Sequence, residues 1–147
     1  MTLSLQEISD RFEINDLLNA YCEAVDTVNI DEFDNIFSHD AVIDYSAFGF
    51  PKVSYEDTKK FLQDALPQVP GKQHMIANSV IRIDGNTATG KTLCFNPMTV
   101  PEEDGSYTMT HFGLWYIDKF IRTENGWRIC ERSELKSYAF ALQGELK

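Results

Sequence analysis

The chain has 147 residues, of which 43% are hydrophobic and 24% are charged, the balance of an ordinary globular domain. A chain of this length buries enough surface to be stable without disulfide bonds or a structural metal. The formal net charge of −10 makes binding to phosphate backbones or anionic membranes unfavourable. We therefore expect one domain over residues 1–147, with no nucleic-acid or membrane partner.

The cysteines and the N-terminal residues indicate where in the cell the protein is located. Cys22, Cys94 and Cys130 are odd in number and widely spaced, which is atypical of a disulfide framework or a zinc site. We expect free thiols in a reducing compartment. The first residues lack the basic and apolar segments of a signal peptide, and no stretch approaches the roughly 18 apolar residues of a membrane span. The expected location is the cytoplasm.

Helical patterns occupy the first half of the chain. Ser4 followed by Glu7 is typical of a capping box and predicts a helix from Ser4 or Leu5 to Thr27, with one apolar face. Shorter helices are predicted near residues 30–37, ended by a break at 38–40, and over 55–66. A short strand is predicted at 41–45, and Gly49 and Pro51 predict a loop after it.

From residue 72 onward the hydrophobic period changes to two, which predicts β-strands. The expected strands cover 75–83, 87–100, 107–122 and 127–140, and the second is expected to bend or break at Pro97. Helices followed by long antiparallel strands are typical of the α+β class. We predict one strongly curved sheet with the helices on its concave face and a pocket between them.

Two residues far apart in the chain form a candidate acid–base pair. Asp26 is predicted at the end of the first helix, at the edge of its apolar face, where a carboxylate needs a partner. His74 stands where the chain enters the sheet, and imidazole is well suited to moving protons near neutral pH. The residues alone leave open a solvent-facing Asp26 that forms a turn with Thr27, and a His74 whose hydrogen bonds are purely structural.

Other polar residues suggest further roles. Tyr45 ends the predicted strand at 41–45, and its phenol is either a donor to a substrate oxygen or an aromatic wall residue. His111 is either a second base or a surface residue, and His39 is expected in solvent. The acidic run at 102–104 is predicted as a solvated turn, and no metal-binding, phosphate-loop or nucleophile motif occurs. The sequence therefore predicts no metal and no cofactor.

Several stretches together carry a family resemblance that covers nearly the whole chain. They are 14–21, 24–26 with 31–33, 37–45, 73–78, and 116–120 with 125–129 and Arg132. In these stretches the chain resembles the SnoaL-like group of the nuclear transport factor 2-like superfamily, which includes scytalone dehydratase and lindane dehydrochlorinase. The resemblance implies a cone-shaped half-barrel, made of a curved antiparallel sheet and three N-terminal helices. It specifies activity less well, because this scaffold hosts isomerases, dehydratases, cyclases, oxygenase small subunits and non-enzymes.

The resemblance also implies site residues. In the dehydratase-like members an Asp at the end of the first helix orients a His general base at the start of the sheet, and Asp26 and His74 match those positions. Tyr45 matches one of two water-binding tyrosines of the dehydratase, and the other would fall at Val25. A second pocket histidine of that enzyme has no counterpart in the segment 95–98. The implied catalytic residues are therefore His74, Asp26 and Tyr45.

We predict a cofactor-independent lyase, catalysing a dehydration or related elimination, or an isomerase. It is expected to act on a small cyclic or aromatic apolar substrate through the general base dyad of His74 and Asp26. The open alternative is a non-catalytic ligand-binding protein or the small subunit of a ring-hydroxylating oxygenase. The superfamily likeness also implies a homodimer or homotrimer that assembles through the outer face of the sheet. The predicted pocket-lining residues are Tyr21, Val25, Phe95, Met98, Phe112 and Trp115.

Overall fold

The computed structural model describes residues 2–143, which form three α-helices and one six-stranded sheet. The helices are α1 (Leu5–Asp26), α2 (Phe33–Ile36) and α3 (Tyr55–Ala65), with short 3₁₀ turns at Ile30–Glu32, Ser46–Phe48 and Leu66–Gln68. The Ser4 hydroxyl accepts the Glu7 N–H at 3.1 Å, so the predicted start of the first helix is confirmed. None of the helices within residues 2–143 combines the length and apolarity needed to cross a membrane.

The strands lie in the order β2-β1-β6-β5-β4-β3 and form a curved sheet that does not close. They are β1 (Phe37–Asp44), β2 (Lys52–Ser54), β3 (Met75–Asp84), β4 (Thr87–Pro101), β5 (Tyr107–Thr123) and β6 (Gly126–Gln143). All neighbours are antiparallel except β1 and β6, which run parallel. The predicted α+β half-barrel with three helices is confirmed.

Three local predictions need correction. β1 begins at Phe37, so residues 38–40 extend a strand instead of only breaking a helix, and β2 forms in a segment predicted as loop. β1 forms its backbone hydrogen bonds with β6, and β2 forms its own with β1, and the local sequence does not reveal these partners. β4 continues through Pro97, whose carbonyl accepts the Gln73 N–H at 3.1 Å. The nitrogen of Pro97 faces that same side, so its missing N–H leaves the β5 ladder intact.

The two faces of the sheet differ in what covers them. Leu114, Tyr116, Asp118 and Phe120 alternate along β5 and are at most 2% exposed. We call this side, which packs against α1, the helix-covered face, and the opposite side the open face. Side chains alternate along a strand, so neighbouring residues reach opposite faces. β-Bulges in the β3–β4 and β5–β6 pairings shift this alternation, and on β3 and β6 the face of a residue follows from its partner on β4 or β5.

Candidate active site

The end of α1 meets the entrance to β3 through Asp26 and His74. His74 Nδ1 lies 2.6 Å from Asp26 Oδ1, and the His74 backbone N–H donates to Oδ2 at 2.8 Å. Only 5% of the His74 side chain and 22% of the Asp26 side chain is exposed. The predicted hydrogen bond is confirmed, and the alternative in which Asp26 forms a turn with Thr27 is wrong, since the Thr27 hydroxyl donates to the Glu23 carbonyl.

The hydrogen-bond partners of His74 determine its tautomer. A carboxylate only accepts hydrogen bonds, so Nδ1 carries the proton that faces Asp26. The neutral ring then has its lone pair on Nε2, which accepts from Asn96 Nδ2 at 2.9 Å. The imidazole is therefore held at both nitrogens, with its basic nitrogen directed toward the helix-covered face of β4.

Tyr21 contacts both the imidazole, through its ring, and Tyr45, through its hydroxyl. Tyr21 on α1 and Tyr45 after β1 have their hydroxyl oxygens 2.9 Å apart, and the Tyr21 ring meets the His74 ring edge-to-face with centroids 6.3 Å apart. Burial raises the pKa of both phenols well above their usual range, so both stay neutral. Two O–H groups share one mutual bond, which leaves one O–H to donate to a ligand. Tyr21 thus supplies a second hydroxyl one helical turn before the position of Val25.

Four of the six predicted lining residues lie on the side of His74. Tyr21 and Val25 are buried on α1. Met98 and Phe112 are half-buried on the helix-covered face; the Met98 sulfur is 3.2 Å from Asn96 Nδ2, and Phe112 pairs with Asn96 across β4 and β5.

The prediction that Phe95 and Trp115 line the pocket is wrong. They occupy alternate positions to Asn96 and Leu114, so their side chains point to the open face. Phe95 stacks on His111 with centroids 5.5 Å apart, and His111 therefore lies on the open face too and is not a second base in the site. Phe95 and Trp115 were predicted to line the pocket because they are aromatic, whereas the strand register decides which face their side chains reach.

Sequence reasoning missed two polar residues on the helix-covered face, Asn96 and Glu134. Glu134 pairs with the buried Tyr116 across β5 and β6. Burial raises the pKa of its carboxyl to about 8, although nearby Arg132 opposes the shift, so Glu134 is largely protonated at neutral pH. Both are polar residues two positions from buried neighbours in a strand, and that period-two pattern is the signal that could have identified them.

A buried ion pair between Arg132 and Asp118 packs against the ring of Tyr21. The Arg132 guanidinium donates to both carboxylate oxygens of Asp118 at 2.8 Å, and both side chains are fully buried. The same guanidinium lies 4.1 Å from the ring centroids of Tyr21 and Tyr116. This stacking fixes the Tyr21 ring and thereby the hydroxyl that pairs with Tyr45.

The cysteines lie outside this chemistry. All three thiols are free, and burial raises the pKa of Cys22 to about 12 and of Cys94 to about 11, so neither is a nucleophile at neutral pH. Within residues 2–143 no three His, Cys, Asp or Glu side chains gather as a metal site requires. That the site works without a metal or cofactor stays a prediction.

Several known proteins are similar to this chain in sequence or in fold. An uncharacterized protein of Mycobacterium tuberculosis strain H37Rv is 42% identical over 136 residues, covering 92% of this chain and 91% of the relative. A Novosphingobium aromaticivorans protein provisionally named an aromatic ring hydroxylase is 27% identical, with a TM-score of 0.80 over 92% of this chain and 94% of that one.

Two further solved structures share the fold. A protein from Novosphingobium aromaticivorans, provisionally named a scytalone dehydratase, is 15% identical, with a TM-score of 0.79 over 94% of this chain and 91% of that one. Hexachlorocyclohexane dehydrochlorinase LinA-type3 from Novosphingobium barchaimii is 15% identical, with a TM-score of 0.81 over 97% of both chains. The sequence model of the SnoaL-like domain matches residues 6–133. The chain therefore belongs to the SnoaL-like family, as its sequence resemblance implied.

Proposed function

We propose that this protein is a cofactor-independent lyase or isomerase in which His74 is the general base. The observation that carries the proposal is the hydrogen bonding of the imidazole, since Asp26 holds Nδ1–H and leaves the Nε2 lone pair for a substrate proton. The same carboxylate stabilises the imidazolium that forms when Nε2 is protonated. The names of two structural neighbours, a dehydratase and a dehydrochlorinase, both describe eliminations and support this reaction class.

The proposed elimination runs in two proton transfers. His74 Nε2 removes a proton from a carbon next to a carbonyl, and the electron pair moves to the carbonyl oxygen as an enolate. The free O–H of the Tyr21 and Tyr45 pair donates to that oxygen. The enolate then forms a C=C bond and expels a hydroxyl from the next carbon. The imidazolium protonates it, so water leaves and His74 is neutral again; in an isomerisation the proton returns to a different carbon.

His74→Ala tests the proposal directly, and His111→Ala is its matched control on the open face. Both variants are assayed with a panel of small cyclic hydroxy-ketones and halogenated rings, for product formation and for exchange of substrate C–H with deuterium from solvent. A general base contributes about 10²–10⁴-fold, so His74→Ala should lose that factor in kcat while His111→Ala stays near wild type. Turnover by His74→Ala at the wild-type rate would disprove the mechanism.

Two further variants rank the supporting groups. Asp26→Asn should lower kcat by up to about 10⁴-fold, because an amide permits the wrong tautomer and does not offset the imidazolium charge. Tyr45→Phe should be milder, at about tenfold, because the Tyr21 hydroxyl remains as a donor. Equal losses in both variants would contradict these assigned roles.

The second candidate is a non-catalytic ligand-binding protein or the small subunit of a ring-hydroxylating oxygenase. The 27% identity to a protein provisionally named an aromatic ring hydroxylase favours it. In that case His74→Ala, Asp26→Asn and Tyr45→Phe would change the affinity for the ligand, and no catalytic rate would be measured for the wild type. A gene for an oxygenase large subunit beside this one would also favour this candidate.

A further inference from the structure

Asn96 occupies the substrate side of the proposed base. It is 7% exposed, and its Nδ2 donates to His74 Nε2 at 2.9 Å and approaches the Met98 sulfur at 3.2 Å. A carbon that is to give its proton to Nε2 must take the place that this amide nitrogen now fills. Substrate binding therefore displaces the Asn96 amide from the imidazole.

The orientation of the Asn96 carboxamide follows from the chemistry of its neighbours. Since Asp26 requires the proton on Nδ1, the Nε2 atom of the neutral ring only accepts, and the amide must turn its nitrogen toward it. The amide oxygen consequently points away from the imidazole. In this orientation Asn96 Oδ1 is buried and has no hydrogen-bond donor within residues 2–143.

An unpaired buried carbonyl oxygen is unusual, because native proteins supply a partner to the large majority of such atoms. Its neighbours do not provide one: the Met98 thioether has no proton to donate, and Phe112, which faces Asn96 across β4 and β5, is apolar. The missing donor is therefore expected from a ligand or from water that a ligand replaces.

We propose that Asn96 is the specificity-determining residue of the site and that it selects ketones carrying a hydroxyl on the β carbon, the second carbon from the carbonyl, over rings that carry a halogen or an alkoxy group there. The inference rests on the proposed function of His74. Once displaced from Nε2, the amide presents an acceptor and a donor side by side, so Oδ1 accepts the substrate O–H and Nδ2 donates to a carbonyl oxygen. A halogenated ring lacks the O–H and would leave Oδ1 unpaired, which a site built for hydrogen bonding rejects.

Three probes that give one product test this preference. The compounds 3-hydroxycyclohexanone, 3-methoxycyclohexanone and 3-chlorocyclohexanone lose water, methanol and hydrogen chloride to yield the same enone, which is followed by its ultraviolet absorbance. Asn96→Leu removes the Nδ2 donor that all three ketones use and the Oδ1 acceptor that only the hydroxyl compound uses. It should therefore lower kcat/KM for the hydroxyl compound by about tenfold more than for the other two. A uniform change across the three compounds would overturn the proposal.

Two variants separate this role from a general loss of folding. Asn96→Asp keeps the acceptor and the shape and should keep the preference for the hydroxyl compound over its methyl ether. Thr92→Val removes the hydrogen bond to Ser79 of another buried side chain on the same face of β4, and should leave all three rates unchanged. Loss of the preference in Asn96→Asp, or the same loss in Thr92→Val, would contradict the assignment.

Direct binding distinguishes the failure of this proposal from failure of the proposed function. Calorimetric titration of His74→Ala with the hydroxyl and methoxy ketones measures how tightly each ketone binds when the proposed base is removed. Tighter binding of the hydroxyl compound, abolished by adding Asn96→Leu, supports the role of Asn96 even if His74→Ala retains activity and the mechanism is wrong. Equal binding of the two ketones would overturn the role of Asn96, whatever the outcome for His74.

Discussion

Burial of Glu134 on the helix-covered face raises the pKa of its carboxyl to about 8, from an ordinary value of 4.5. Below about pH 4.5 both the folded and the unfolded chain hold this proton, so the group adds no pH dependence. Between about pH 4.5 and 8 the folded chain keeps the proton and the unfolded chain releases it. The free energy of unfolding must therefore fall as pH rises through this window.

Glu134→Gln tests this linkage, because the amide imitates the protonated acid at every pH. We expect the variant to match wild type near pH 4.5 and to be more stable near pH 8, in urea unfolding followed by circular dichroism. Glu131→Gln is the control, since Glu131 lies on the same strand but is half-exposed and pairs with Lys119. Equal slopes of stability against pH in wild type and Glu134→Gln would refute the raised pKa.

The strands β5 and β6 carry two ion pairs on adjacent rungs and opposite faces. Asp118 and Arg132 form the buried pair on the helix-covered face, with both side chains fully buried. Lys119 and Glu131 form the exposed pair on the open face, with 59% and 51% of their side chains accessible. Both pairs bridge the same two strands in different surroundings, so together they test how burial changes the contribution of an ion pair to stability.

Breaking the buried rung should destabilise the fold far more than breaking the exposed one. Asp118→Asn leaves the Arg132 charge without its counter-charge in the core, which typically costs about 3–5 kcal/mol. Lys119→Gln removes a solvent-screened pair and should cost less than about 1 kcal/mol. Chemical denaturation of the two variants measures the difference, and comparable losses would contradict the structural role of the buried pair.

The open face of the sheet exposes a broad apolar surface. Its members lie on β3, β5 and β6 and are each between 37% and 59% exposed: Met75, Val80, Ile117, Ile121, Leu135, Tyr138, Phe140 and Leu142. Contiguous apolar surface of this kind marks an interaction site. We propose that a second copy of the chain covers it, in agreement with the homodimer or homotrimer that the superfamily likeness implies.

Light scattering at micromolar concentration tests this assembly. Wild type should have the molar mass of a dimer or trimer. The double variant Leu135→Lys with Phe140→Lys should have the molar mass of a monomer, because it places two charges within the apolar surface. Phe12→Lys is the control, since Phe12 is 67% exposed on α1, away from the open face. A monomeric wild type would disprove the proposal.

The sequence by itself determined the elements with strong local signals and the pairing of Asp26 with His74. The Ser4 cap and the period-two strands predicted α1 and β3 to β6, because caps and alternation act over a few residues. The family resemblance placed the dyad correctly, since the end of the first helix and the entrance to the sheet meet in this fold.

Only the tertiary structure decided which side of the sheet each residue faces. β1 pairs in parallel with β6, which is distant in sequence, and β2 forms only by pairing with β1. No local sequence pattern predicts either pairing. Phe95 and Trp115 were assigned to the pocket by their aromatic character, and the strand register places them on the opposite face. For the same reason Asn96 and Glu134 went unnoticed, because a polar residue gains its role only when the register turns it toward the core.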